Sequence, residues 1–436
     1  MASPTTALKL LLASALLIPS AIGLQPGSSL ALAEPEIHTA AVNPNQQATL
    51  PLLWQANTDG AGLYYEQRPV HNGTVFYVKH NKLYAREAAS GTINWSYAKG
   101  AFPEIVTNNS VLFVTGGGDL VKLDAKTGKE IWKVKAAARP LELGGRIKLL
   151  DGTVYFANES GGMAAFDAVT GKRLWENKAV PMYAGSIYRK YGGVLVVSST
   201  VNNIRSQFFG LNASTGKVLW RTEGMYSFVG SQNGQVIIRE SAEPSATLTK
   251  IPGYLLTLAV LDPATGKITK PENYQPLPDV SRMAARYTSL QGPYAYTADG
   301  LLEENNVYLT RFARGQFNAD TAHSYKRFGN WLAGPIQGIA YFQQGTEITA
   351  VNLANNSSVR FGDSGSKAVT LQRIGKAVFI GDENGMLSIM DAATGTTLGR
   401  IATGISSYGT ITVTNGTVLI PSETKLMAVK LPEKLL

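Results

Sequence analysis

Cysteine is absent from all 436 residues of the chain. That excludes disulfide bridges, thiolate metal sites, cysteine nucleophiles and a lipid attached to an N-terminal cysteine. Histidine is scarce as well: His38, His71, His80 and His323 are all there are, and no two have the spacing of a helical zinc motif. Each reads as a loop or surface side chain. Charge blocks are missing too, since no run of Lys and Arg is longer than two, as in Lys172-Arg173, Arg189-Lys190 and Lys326-Arg327. A net charge of +9 spread in this way marks no basic arm, so no nucleic-acid partner is expected. Nucleophile elbow, phosphate-binding loop and dinucleotide fingerprint are all lacking.

No apolar run is long enough to cross a bilayer; the one from Leu10 to Ile18 falls well short. With Lys9 before it and Ala31-Leu32-Ala33 after it, residues 1–33 resemble a secretory signal, and Pro19 and Pro26 argue against an ordinary helix there. Residues 34–48, rich in Asn, Gln and Thr with Pro35 and Pro44, read as a flexible leader into one domain over 49–436. The expectation is an exported protein, secreted or held in the cell wall or periplasm, not a lipoprotein, and without a transmembrane segment once the signal is cleaved. Export without disulfides points to a bacterial source.

What the chain does have is a repeated phrase: an acid or Asn, two variable residues, Thr or Ser, Gly, then Trp four residues on. Copies run from Glu87 to Trp95, Asp124 to Trp132, Asp167 to Trp175 and Asn212 to Trp220. The copies at Asp262 and Asp391 keep the turn but place Lys270 and Gly399 where the aromatic would be. A leading Asp or Asn can bond backbone amides two residues on, and Gly128, Gly171, Gly216, Gly266 and Gly395 can take the positive φ that closes the turn. Strand-like alternation precedes each turn, and a second apolar stretch lies about ten residues earlier, so each unit reads as a small antiparallel sheet. The Trp then supplies a large face suited to packing between neighbouring sheets.

Anchoring on the apolar strands gives Val75, Val111, Val154, Val194, Val236, Val307, Ile339, Val378 and Val418, mostly spaced like four-stranded propeller blades. Two spacings break the rhythm, 71 residues from Val236 to Val307 and 32 from Val307 to Ile339. Treating one irregular start as an insertion predicts an all-β, eight-bladed propeller of four-stranded antiparallel blades, with seven or nine as the alternatives. The strand around Trp54 has the look of an outer strand and the last unit stops after two strands, so pairing the two ends would close the ring.

The phrase resembles the pyrroloquinoline quinone (PQQ) enzyme repeat, found in quinoprotein alcohol dehydrogenases and in non-enzymatic propellers of the BamB type. Four of the Trp that match it are Trp95, Trp132, Trp175 and Trp220, with Trp54 assigned to the closing blade. The resemblance is to the repeat and not to a single protein. Dehydrogenases of this kind use a vicinal disulfide, an Asp base and a calcium held by acidic and amide side chains, and no position here matches those motifs. BamB-type lipoproteins carry an N-terminal Cys, which is absent. No cofactor is expected, and PQQ with calcium is the alternative.

The turn Asp residues have a local task and are spread around the ring, so they do not make a catalytic or metal site. Function is better sought where the repeat breaks. Residues 240–305 hold extra material, and the stretch that follows interleaves Arg311, Arg314, Lys326 and Arg327 with Phe312, Phe317, Tyr325, Phe328 and Trp331. Such a cluster suits a protein or an anionic cell-envelope component; alternatively its aromatics fill the core of a degenerate blade. The chain therefore reads as a non-catalytic binding scaffold, with a PQQ-dependent dehydrogenase of atypical site as the second reading.

Overall fold

The Asp and Asn copies of the turn phrase fold as bulged hairpins. The computed structural model describes residues 37–38, 49–59, 70–137, 144–159, 161–183, 185–201, 205–222, 226–240, 256–274, 287–299, 307–361 and 365–436. Residues 1–33 and most of 34–48 lie outside that set. Asp124 Oδ1 accepts the amides of Lys126 at 3.1 Å and Thr127 at 2.8 Å, and the Thr127 hydroxyl at 2.7 Å. Those bonds, the Thr127 hydroxyl foremost, hold the Asp124 carboxyl below its usual range. Asp167, Asn212, Asp262 and Asp391 repeat the arrangement. Gly128, Gly171, Gly216, Gly266 and Gly395 close the turns with φ of +70°, +71°, +71°, +72° and +69°, which L side chains rarely adopt.

Among the described residues nine sheets follow one another along the chain, each with four antiparallel strands and one of them joined by a fifth, parallel strand. Blades one to eight are residues 70–98, 105–135, 145–177, 186–221, 226–274, 287–324, 330–361 and 368–402. Blade nine draws on both ends: three strands come from 412–430, and Leu52–Asn57 is the outer one, antiparallel to Lys425–Lys430 with Trp54 opposite Ala428. On the way in, Ile37–His38 pairs in parallel with the outer strand of blade seven, and Thr49 bridges Arg400 on the outer strand of blade eight. Buried apolar clusters span every pair of neighbouring blades in turn, from Phe76 and Val111 between blades one and two to Ile389 and Ile420 between eight and nine. Val75 and Tyr77 of blade one then pack on Leu419 and Leu426 of blade nine. The ring is thereby closed.

The count is nine and not the eight expected. Val307 does not start a blade: it lies just before Tyr308–Ala313, the third strand of blade six. The second strand is Tyr294–Asp299 (YAYTAD), in which Ala295 takes the anchor position opposite Phe312. Alternation of Tyr with Ala and Thr gave that strand no apolar signature. No start in the series is an insertion; the long spacing arises because residues 241–255 separate the second and third strands of blade five and because Ala295, not Val307, holds the anchor position of blade six.

Each Trp of the repeat phrase, and Trp54, docks on the turn of the next blade. Indole Nε1 donates to the carbonyl of the residue after the leading acid or Asn: Trp54 to Ala88 at 2.7 Å, Trp95 to Ala125 at 3.0 Å, Trp175 to Ala213 at 2.9 Å and Trp220 to Pro263 at 3.0 Å. The ring lies where the turn glycine lacks a side chain. A Cβ on Gly216 would fall 2.3 Å from the Trp175 ring, and one on Gly128 2.5 Å from Trp95. The cross-strand partner of the Trp is small for the same reason: Ala85, Ala165, Gly210 and Ala428 face Trp95, Trp175, Trp220 and Trp54. Where Gly399 stands in place of the Trp its cross-strand partner is the larger Ile389, and Leu50 fills the space over Gly399; at Lys270 the register differs, with Val260 pairing with Thr269.

Candidate functional site

Blade six and its neighbours absorb much of the aromatic and basic stretch. Phe312 and Tyr325 are fully buried, Tyr325 stacking at 6.1 Å on Phe342 of blade seven. Phe328 packs on Phe342 at 5.6 Å, and Trp331 lies 4.9 Å from Tyr287 while donating to Gly334 O at 3.0 Å. Arg311 stands over the Tyr294 ring at 4.6 Å and donates to Leu353 O at 3.3 Å, the carbonyl position that receives an indole elsewhere in the ring. His323 packs against Tyr325 at 4.7 Å, and burial, with Arg311 and Arg327 nearby, lowers its pKa.

Arg314 ties blade six to blade five. Its Nη2 meets Glu272 at 2.5 Å, Nε meets the other carboxylate oxygen at 3.2 Å, and Nη1 reaches Gln232 at 2.7 Å. Burial alone would raise the Glu272 pKa, but the bonds from Arg314 and the Tyr274 hydroxyl bring it below the usual range. Burial and the same carboxylate push Tyr274 well up. This pair, with Tyr274 against Phe312 at 5.0 Å and Phe317 at 5.6 Å, stands where Lys270 leaves blade five without a docking Trp. Of the stretch, Phe317, Lys326 and Arg327 are exposed, Lys326 over Tyr308 at 5.2 Å and Arg327 over Phe328 at 4.7 Å.

A second place emerges only in three dimensions. Between blades nine and one, a cleft of about 340 Å³ is lined by Gln55, Ala56, Asn57, Tyr77, Lys79, Tyr84, Arg86 and Ile93. Tyr77 and Tyr84 stack with centroids 5.3 Å apart and planes 13° from parallel. The Arg86 guanidinium lies 4.9 Å from the Trp54 ring and 5.5 Å from Tyr77. Its Nε is buried and has no acceptor among the described residues. Burial raises the Tyr77 pKa, and the Arg86 charge partly offsets this. Among the described residues no carboxylate lines the cleft; Asp59, at its hairpin end, accepts the Asn81 amide at 3.0 Å. Reading the copies one by one passed over Arg86, although aligning them would have shown a cation where the other copies carry apolar residues.

Among the described residues no three His, Asp or Glu side chains gather into a metal-holding group. The repeat Asp residues stay apart, each in its own turn. No described helix is long and apolar enough to cross a membrane.

Residues 40–187 match the family described as outer membrane protein assembly factor BamB. No curated protein sequence matches the chain. Among solved structures it is similar to the computationally designed Ika8 protein, at 12% identity over 88% of this chain and 100% of that one, TM-score 0.48. BamB from Moraxella catarrhalis gives 13% identity over 88% and 100%, TM-score 0.43. Quinohemoprotein alcohol dehydrogenase from Comamonas testosteroni gives 13% identity over 87% and 76%, TM-score 0.44. The turn-and-tryptophan phrase docks blade on blade around a closed ring, and over about its first third the chain is similar to the BamB family of PQQ-like repeats.

Proposed function

We propose that this chain is an exported, non-catalytic propeller scaffold whose ring holds a protein or anionic cell-envelope partner. The observation that carries the reading is how the repeat spends its chemistry. Each described turn Asp is bonded to its own turn, and the docking Trp residues are packed on the next blade. Of the aromatic and basic stretch, Phe317, Lys326 and Arg327 remain outward on irregular blade six, an aromatic and two cations of the kind that anchor interfaces. The match to the BamB family and the signal-like residues 1–33 support an envelope setting.

The test compares proteins cross-linked in cells to the wild-type chain and to a Phe317→Ala, Lys326→Ala, Arg327→Ala variant. Loss of a wild-type-specific partner at unchanged Tm is expected; the same partners on both chains would place binding elsewhere. In parallel, the purified chain given PQQ and calcium should show no dye-linked alcohol oxidation. Turnover with a stoichiometric quinone would overturn the non-catalytic reading.

A further inference from the structure

The face that each blade turns to its predecessor carries a fixed quartet. In blade two it is Val111, Phe113, Val121 and Leu123, all fully buried in the apolar cluster with blade one. The last member immediately precedes the position of the acid or Asn that leads the turn. In each of blades two to nine that residue is apolar and buried, Phe166, Leu211 and Val429 among them. In blade one the quartet is Val75, Tyr77, Tyr84 and Arg86, with Arg86 opposite Val75. A guanidinium thus occupies a site that the repeat fills with Leu, Phe, Met or Val. Placing it there costs desolvation, and a local rule broken with no compensating ion pair among the described residues marks a site rather than a scaffold element.

The departure coincides with the cleft at the ring's seam. Lys79 and Arg86 give it two cations, with no carboxylate among the described lining residues. The Tyr77 and Tyr84 pair gives it a ring-stacking wall. Gln55 and Asn57, exposed on the closing strand, add amide donors and acceptors. A volume of about 340 Å³ is at the small end for organic ligands. A planar guanidinium held between two aromatic faces is pre-organised for an oxyanion.

We infer that the seam between blades nine and one binds a small organic anion, its carboxylate or phosphate against Arg86 and Lys79 and its ring along the tyrosines. This site is separate from the blade-six surface and stands whether or not the ring is a scaffold.

The experiment titrates the purified full chain by calorimetry with glucuronate, benzoate and glucose 6-phosphate. Acetate serves as an anion without a ring and glucose as a ring without charge. At least one ring anion is expected to bind, with acetate and glucose each weaker by about tenfold or more; which ring anion binds separates carboxylate from phosphate. Arg86→Met, which restores the apolar residue of the other blades, should weaken binding by about tenfold or more while Tm stays at or above the wild-type value. Lys79→Met, at the cleft's rim, provides a second variant should Arg86→Met fold poorly, and should weaken binding in the same direction. Failure of all three ring anions to bind, acetate or glucose binding as well as they do, or unchanged affinity in both variants would overturn the proposal.

Discussion

Trp132 and Trp175 hold the same repeat position with different bonds. Trp175 is buried and donates to Ala213 O at 2.9 Å. Trp132 rests on Gly171, but its buried Nε1 has no partner, because Lys122 Nζ takes the Ala168 carbonyl at 2.7 Å. Lys122 is also the cross-strand neighbour of Trp132, where the other docking Trp residues face Ala or Gly. Trp175→Phe should cost about 1–2 kcal/mol, the loss of a satisfied hydrogen bond together with packing. Trp132→Phe removes an orphaned donor and should be close to neutral. Denaturant midpoints of the two variants check this; equal losses would mean that the indole N–H groups contribute nothing.

Between elements, the interface of blades five and six has replaced tryptophan docking by an ion pair. Arg314 and Glu272 are both largely buried, with side chains 19% and 17% exposed, so leaving Arg314 unpaired is expected to cost about 2–4 kcal/mol. Glu272→Gln tests this at neutral pH. The Glu272 pKa is lower in the fold than in the unfolded chain, so its contribution is present above the unfolded carboxylate value and fades as pH falls through the folded one. The Tm gap between wild type and variant should therefore shrink steadily in acid. A gap that holds at low pH would assign the loss to packing. These residues also show why the stretch from 240 to 331 was hard to read. The turn phrase legibly set the fold, the Trp ladder and closure by Trp54, because those features are local and repeated. Arg314 and Glu272 are 42 residues apart, and no local pattern announces their pairing. Arg86 was hidden differently: a lone cation on a strand reads as a solvent-facing charge until its copies are laid side by side.

For the whole molecule, closure rests on one six-residue strand. Leu52–Asn57 pairs with Lys425–Lys430 and brings Trp54 onto Ala88 and Gly91 of blade one. A stack of repeats held only by neighbours can fray from either end, whereas a ring cannot lose one interface without opening. Without this strand, blade nine would present an unpaired edge. The cluster of Val75, Tyr77, Leu426 and Ala428 would also lose its Trp54 cover. Deleting residues 49–57 should therefore lower Tm and raise amide exchange first in blades nine and one, with blades three to five still protected. Trp54→Ala should do the same more mildly, by about 3–4 kcal/mol, since it removes the docking ring and leaves the strand pairing. Exchange that rises evenly around the ring would show that the nine interfaces unfold as one unit and that the seam is no weaker than the rest.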